Sequence, residues 1–267
     1  MTNQIYILPD RKRPDPDEVA AAFNKQVEEE LRRKELEEKL RQKTGSKLEE
    51  KVEKTETKIP ASLEDICKGY EEYMAWEAKT FIIPRVITDK YRLTSKQIKQ
   101  FSKILIKYKD LEDFVDYTAK YLTALMLSSQ DKKFVIDLTE LNKEKIELKY
   151  LGYKLKDKNL TINGNAGDYV GYDAENCPIT VNGNAGDYVG YDAKNCPITV
   201  NGNAGDNVGL FAKNCQITVN GNARYDVGNN AKNCQIKIKE EIGGLSYYIG
   251  EDTEIYQWKN NKWEKIY

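Results

Sequence analysis

With 42 basic and 43 acidic side chains among 267 residues, the net charge is −1. The chain therefore has room for one or two domains and exerts no global electrostatic pull on nucleic acid or membrane. Histidine is absent, which removes the commonest general base, the histidine triads and imidazole metal sites together. No apolar run approaches the length that crosses a bilayer, and the opening MTNQIYILPDRKRPDPDE lacks the apolar core of a signal peptide. A soluble cytoplasmic protein is expected, with neither nucleic acid nor membrane as partner.

Residues 1–16, with Pro9, Pro14, Pro16 and the run Arg11-Lys12-Arg13, read as a flexible tail. Residues 17–58 are dense in alternating charge. Pairs such as Glu29/Arg33, Glu30/Lys34 and Glu35/Lys39 stand at i,i+4 and support a charged helical arm. Its apolar residues Val19, Phe23, Val27 and Leu31 recur every four positions, whereas a heptad seam needs a mean of 3.5. A solvated helix that docks through a narrow stripe, an oligomerising coiled coil and a disordered segment all stay open.

Residues 61–130 read as a small helical domain. SLED at 62–65 is a capping box followed by the stripe Leu63, Ile66, Tyr70, Met74 and Ala78. After the extended FIIPRVI (81–87), a second helix is expected from TSKQ at 94–97, with Ile98, Phe101, Ile104, Leu105 and Tyr108 on one face. A third is expected from Asp110, presenting Leu111, Phe114, Val115, Leu122 and Leu125. Tyr70, Tyr73 and Trp76 are read as packing, and Cys67 likewise.

From residue 133 the period changes, and 133–267 is read as a β-solenoid with its caps. KFVIDLTEL and KIELKYLGYKL alternate as strands. Four units of 19 residues then follow without insertion: LTINGNAGDYVGYDAENCP (160–178), ITVNGNAGDYVGYDAKNCP (179–197), ITVNGNAGDNVGLFAKNCQ (198–216) and ITVNGNARYDVGNNAKNCQ (217–235). A unit this short cannot bury a face alone and must stack on its neighbours. Ile179, Val181, Ala185, Val189, Ala193 and Cys196 supply small or β-branched inward positions, with glycine and asparagine at the corners. The fold class is therefore α+β: N-terminal helices, then a short right-handed parallel β-helix of about 19-residue coils. QIKIKEEIGGLSYYIG loses the signature after Ile238. EIYQWKNNKWEKIY reads as a hairpin cap about Asn260-Asn261 that sets Trp258 opposite Trp263.

The pattern GNAGDYVG…ITVNGNAGDYVG, over about residues 159–245, resembles the glycine-rich GXGXG β-helix repeats found in one of the subunits of formylmethanofuran dehydrogenase and in the C-terminal domain of the glutamate synthase large subunit. Where those families turn on a Gly-Gly pair, this chain has Asn176-Cys177, Asn195-Cys196, Asn214-Cys215 and Asn233-Cys234. The resemblance implies a scaffolding element whose chemistry resides in other domains or subunits, so no catalytic residue carries over.

Four sharper readings compete for the repeat. GNAGD is close to the GGxGxD loop of calcium-loaded β-rolls, which makes the column Asp168, Asp187 and Asp206 a weak metal candidate against a solvated acidic ridge. Cys177, Cys196, Cys215 and Cys234 form a column within disulfide reach, or an inert core ladder; in a straight column they do not converge on a tetrahedral ion. GNAG as a phosphate loop fails because the turn runs into another strand. Tyr172, Tyr191 and the nearly registered Phe211, beside Asp173 and Asp192, form either a carbohydrate site or a docking face. Asn163, Asn182, Asn201 and Asn220 are expected as a structural ladder. No cofactor and no catalytic residue are expected. The leading reading is a non-enzymatic scaffold that meets a protein partner through the N-terminal helices or a solenoid face, with self-association as a variant. The alternative is an accessory subunit of a larger redox enzyme.

Overall fold

The structure, a computed structural model, describes residues 59–75 and 91–267. The expected tail 1–16 and charged arm 17–58, together with Trp76, Ala78 and the FIIPRVI segment, lie outside the described residues. The described residues belong to one compact unit. No helix among the described residues is long and apolar enough to cross a membrane.

A two-residue parallel bridge joins β1 (Ile59–Pro60) to β2 (Tyr91–Arg92). Helix α1 (Leu63–Ala75) starts at the anticipated box: the Asp65 amide donates to Ser62 Oγ at 3.0 Å, and the Ser62 amide donates back to Asp65 Oδ2 at 2.8 Å. Helix α2 (Ser95–Ile104) has the same device in Thr94 and Gln97. The third helix, α3 (Phe114–Ser128), opens four residues later than Asp110. A 3-10 turn over Leu105–Tyr108 and a left-handed Asp113 (φ 58°) intervene, and a regular helix cannot run through that conformation. Between the helices, the Tyr70 ring lies edge-on to Phe101, Tyr108 and Tyr121 at centroid distances of 5.4, 5.0 and 5.2 Å. Tyr70 Oη and Thr118 Oγ1 share a hydrogen bond of 2.6 Å, and Tyr121 donates to the Ile66 carbonyl at 2.9 Å. Burial pushes both phenols above their ordinary range. These tyrosines are core.

Eight strands follow in the sheet order β10-β9-β8-β7-β6-β5-β4-β3. They are β3 (Lys133–Asp137), β4 (Asn159–Asn163), β5 (Ile179–Val181), β6 (Pro197–Val200), β7 (Gln216–Val219), β8 (Gln235–Ile238), β9 (Glu254–Lys259) and β10 (Lys262–Lys265). All pairs are parallel except the last. From Leu160 the register runs Ile179, Ile198, Ile217, Ile236, Ile255, with 19 residues to every coil. Each coil contains one short strand; the rest is a chain of turns tied to its neighbours by isolated parallel bridges such as Glu175–Lys194–Lys213. Ile, Val, Ala and Cys of successive coils stack inward and are almost fully buried, in a core continuous with the helices from Ala61 to Ile255.

Two boundaries differ from expectation. KIELKYLGYKL is not strand: a five-residue helix, α4 (Thr139–Lys143), follows β3, and the rest is the turn portion of an additional coil. Its register is visible in backbone bonds, Tyr150 N to Asp168 O at 2.9 Å and Lys154 N to Tyr172 O at 2.9 Å. The alternation in this segment comes from turn residues pointing in and out of a narrow coil. At the other end, winding does not stop at Ile238. Residues 235–253 complete one more coil, and β9 both continues the parallel ladder and forms the expected hairpin, with Trp258 opposite Trp263.

Candidate functional site

The repeated polar residues form columns along the solenoid, and each column has its own bonding rule. Asn182 Nδ2 donates to Asn163 Oδ1, Asn201 to Asn182 and Asn220 to Asn201, each at 2.9 Å. A second amide column starts on Asp157 and runs through Asn176, Asn195, Asn214 and Asn233 at 2.8–3.1 Å. The four asparagines of this second column sit at φ between 50° and 55°. That is the left-handed conformation, which asparagine tolerates better than other side-chain-bearing residues, and it explains asparagine at this corner of the four coils. A third column (Asn165, Asn184, Asn203, Asn222) uses its Oδ1 atoms to accept the backbone N–H of the residue one coil on, at 2.8–2.9 Å.

The aspartate column behaves in the same way. Asp168 Oδ1 accepts the amide of Asp187 at 3.0 Å, Asp187 accepts that of Asp206 at 2.7 Å, and Asp206 accepts that of Tyr225 at 3.0 Å. Lys149, one coil before Asp168 in the same register, approaches it to 3.8 Å, while Arg224 reaches Asp206 at 3.1 Å. Amide donors and terminal cations thus relieve the repulsion that stacked carboxylates would suffer. Among the described residues no three carboxylate or thiol side chains converge on a common point.

The cysteines are free and buried. The Cys177 amide donates to Cys196 Sγ at 3.3 Å, Cys196 to Cys215 and Cys215 to Cys234, both at 3.4 Å. Neither end of the column is cysteine. Lys158 precedes Cys177 by one coil, and its buried ammonium donates to the carbonyls of Ser129 at 2.6 Å and Asp131 at 2.8 Å. At the other end Thr253 accepts the Cys234 amide at 3.4 Å and donates to the Ala231 carbonyl at 2.7 Å. Burial pushes the Cys177 thiol up to about 11. Cys215 is held protonated by the sulfurs on either side, and Cys196 and Cys234 are lowered in turn.

The aromatic column is double. Tyr153, Tyr172, Tyr191 and Phe211 form one ladder, with centroid separations of 5.1, 4.7 and 6.0 Å. Phe211 is one position out of register and tilted by 42°. Beside it Tyr150, Tyr169 and Tyr188 stack at 4.8 and 4.7 Å with planes within 7° and 2° of parallel. All three take φ of 63–64°, an unusual conformation for a bulky side chain that adjacent coils hold in register. Burial among the rings pushes the Tyr169 phenol up to about 12. Both faces of Tyr169 are covered by neighbouring rings, and Lys120 of α3 lies 4.9 Å from the Tyr150 centroid. Asp173 is flanked by Lys154 at 3.9 Å and Lys194 at 3.6 Å, and Asp192 by Lys213 at 3.8 Å.

Sequence reasoning found Tyr172, Tyr191 and Phe211 but missed Tyr150, Tyr153, Tyr169 and Tyr188, and it missed Lys158 and Thr253 as ends of the cysteine column. Extending the 19-residue register in both directions, which sets KYLGYKLKDK under DYVGYDAENC, would have found them. Compared with family models, curated proteins and solved structures, the chain finds no match.

Proposed function

We propose that this protein is a non-catalytic scaffold in which the solenoid is a rigid spacer and its tyrosine-rich face a docking surface for a protein partner. One observation carries the reading: the repeated polar groups bond along the columns, coil to coil, and do not converge on a point where a substrate atom would react. Catalysis needs groups from different positions aimed at one place. Here Asn and Asp side chains instead satisfy the backbone and amides of the next coil, which stiffens a rod. The double ladder adds tyrosines whose ring faces are occupied by one another; Tyr153 is buried, while Tyr169, Tyr172, Tyr188 and Tyr191 stay part-exposed, and aromatic rings with a polar tip suit protein contact.

The decisive experiment is affinity capture from the native organism, comparing wild type with Tyr172→Ala/Tyr191→Ala. Loss of one defined protein from the variant, with unchanged folding by circular dichroism, supports docking on this face. Recovery of a redox enzyme would favour the accessory role implied by the resemblance, and an identical set of captured proteins would remove the tyrosine face from the proposal. Because amide donors and cations already serve the aspartate oxygens, a chelator is expected to leave the melting temperature unchanged; a substantial fall would restore the calcium reading.

A further inference from the structure

We propose that the cysteine column binds monovalent soft d10 cations, with Cu(I) as the biological member of the class, each ion held in a line between the sulfurs of neighbouring coils. Soft thiolate ligands select such ions. The stacked tyrosines measure the repeat of the solenoid directly: identical side chains on successive coils stand 4.7 Å apart where the rings are parallel. A metal–thiolate bond of about 2.3 Å places two sulfurs about 4.6 Å apart across a linear ion. Cys177, Cys196, Cys215 and Cys234 share that coil-to-coil repeat, which is the span a two-coordinate ion needs between successive sulfurs. Among the described residues three or more ligands do not converge, which disfavours tetrahedral ions such as Zn(II).

A second feature is independent of spacing. Cys196, Cys215 and Cys234 each receive a backbone N–H from the cysteine one coil earlier, at 3.3–3.4 Å. N–H donors directed at sulfur stabilise metal-bound thiolates. Each thiol donates to the carbonyl two residues earlier, as Cys196 does to Lys194 at 3.2 Å. The ions replace those protons: four thiols and three M(I) give a chain of S–M–S links, releasing four protons and leaving one net negative charge, with no change of oxidation state. Inner sulfurs bridge two ions. Lys158 and Thr253 close the column, so four sulfurs leave three intervals.

The probe is Ag(I), which is redox-silent, added in chloride-free buffer to the full chain carrying Cys67→Ser, so that only column thiols are counted. Because the sulfurs are buried, one arm titrates folded protein and the other refolds it from denaturant with Ag(I) present; bound ions are counted by native mass spectrometry. Serine is the substitution of choice, since Thr253 already places a hydroxyl in the column. The expected capacity is three ions, falling to two with Cys234→Ser and to one with Cys215→Ser, because an inner sulfur serves two intervals. Cu(I), supplied anaerobically, should displace Ag(I) at the same stoichiometry, and Zn(II) should not. Equal capacities for the two serine variants, no uptake by either route, or displacement by Zn(II) would overturn the proposal.

Discussion

Asn195 shows how one residue serves two levels of structure. Its backbone stands at φ 54°, and its side chain links Asn176 and Asn214 at 3.0 and 3.1 Å. Asn195→Ala loses both functions and is expected to cost about 1–2 kcal/mol in urea melts, because alanine is disfavoured in the left-handed region and the amide ladder is interrupted. Asn195→Gly restores the backbone alone and should cost clearly less; equal costs would show that conformation contributes nothing. Gly205 is constrained differently. A Cβ there would meet Asp187 Oδ1 and, at 2.9 Å, the Asp187 amide nitrogen, so the coils approach too closely for any side chain. Gly205→Ala is expected to destabilise by about 1–3 kcal/mol, the usual cost of overpacking. Both positions were legible as corners in the repeat. The division between a conformational glycine and a close-approach glycine was not, since it depends on which atoms the next coil brings near.

At the level of elements, the repeat announced its strands because Ile, Thr and Val recur without insertion, whereas the first coil was hidden by lysines and a short helix. What KIELKYLGYKL and the two residues after it share with the later coils is a register of turn residues, Tyr150, Gly152, Lys154 and Asp157, all with positive φ. Periodicity of hydrophobicity does not report backbone conformation, so the segment passed for a strand. The junction between helices and solenoid was equally silent. Asp131 Oδ2 accepts the amide of Ser95 at 2.6 Å at the start of α2, while the Asp131 carbonyl accepts from Lys158. The Ser95 amide holds the Asp131 carboxyl below its ordinary value. A depressed carboxyl pKa contributes stability above the unfolded value, near 3.9, that is lost as pH falls through the folded one. Melting temperature should therefore drop as the pH falls below the unfolded value, and Asp131→Asn, whose oxygen still accepts but does not titrate, should flatten that part of the profile. An unchanged acid limb in Asp131→Asn would place the sensitivity elsewhere.

For the whole molecule, the buried residues run without a break from the helices through the coils. Phe134, Ile136 and Leu138 are at most 1% exposed, and α2 packs across β3. Ser102 of α2 also accepts the Asp137 amide at 2.9 Å. The helices thus do for the first coil what each later coil does for the next: they cover an open end that would otherwise present an unpaired strand and bare apolar side chains. Removing them from the folded structure re-exposes three large side chains, a loss of at most roughly 5–9 kcal/mol at 1.5–3 kcal/mol each, which is comparable with the whole stability of an ordinary domain. A chain of residues 133–267 is therefore expected to escape this cost by association. Light scattering should find it larger than a monomer and growing with concentration, while residues 58–267 stay monomeric at the same concentrations. The β10 edge, only four residues long and carrying Lys262, Glu264 and Lys265, resists such pairing at the other end. Replacing Lys262 and Lys265 with threonine should bring association to the 58–267 chain as well. A monomeric 133–267 fragment melting with 58–267 would instead mean that the coils hold their own end closed and that the helices are an appended domain.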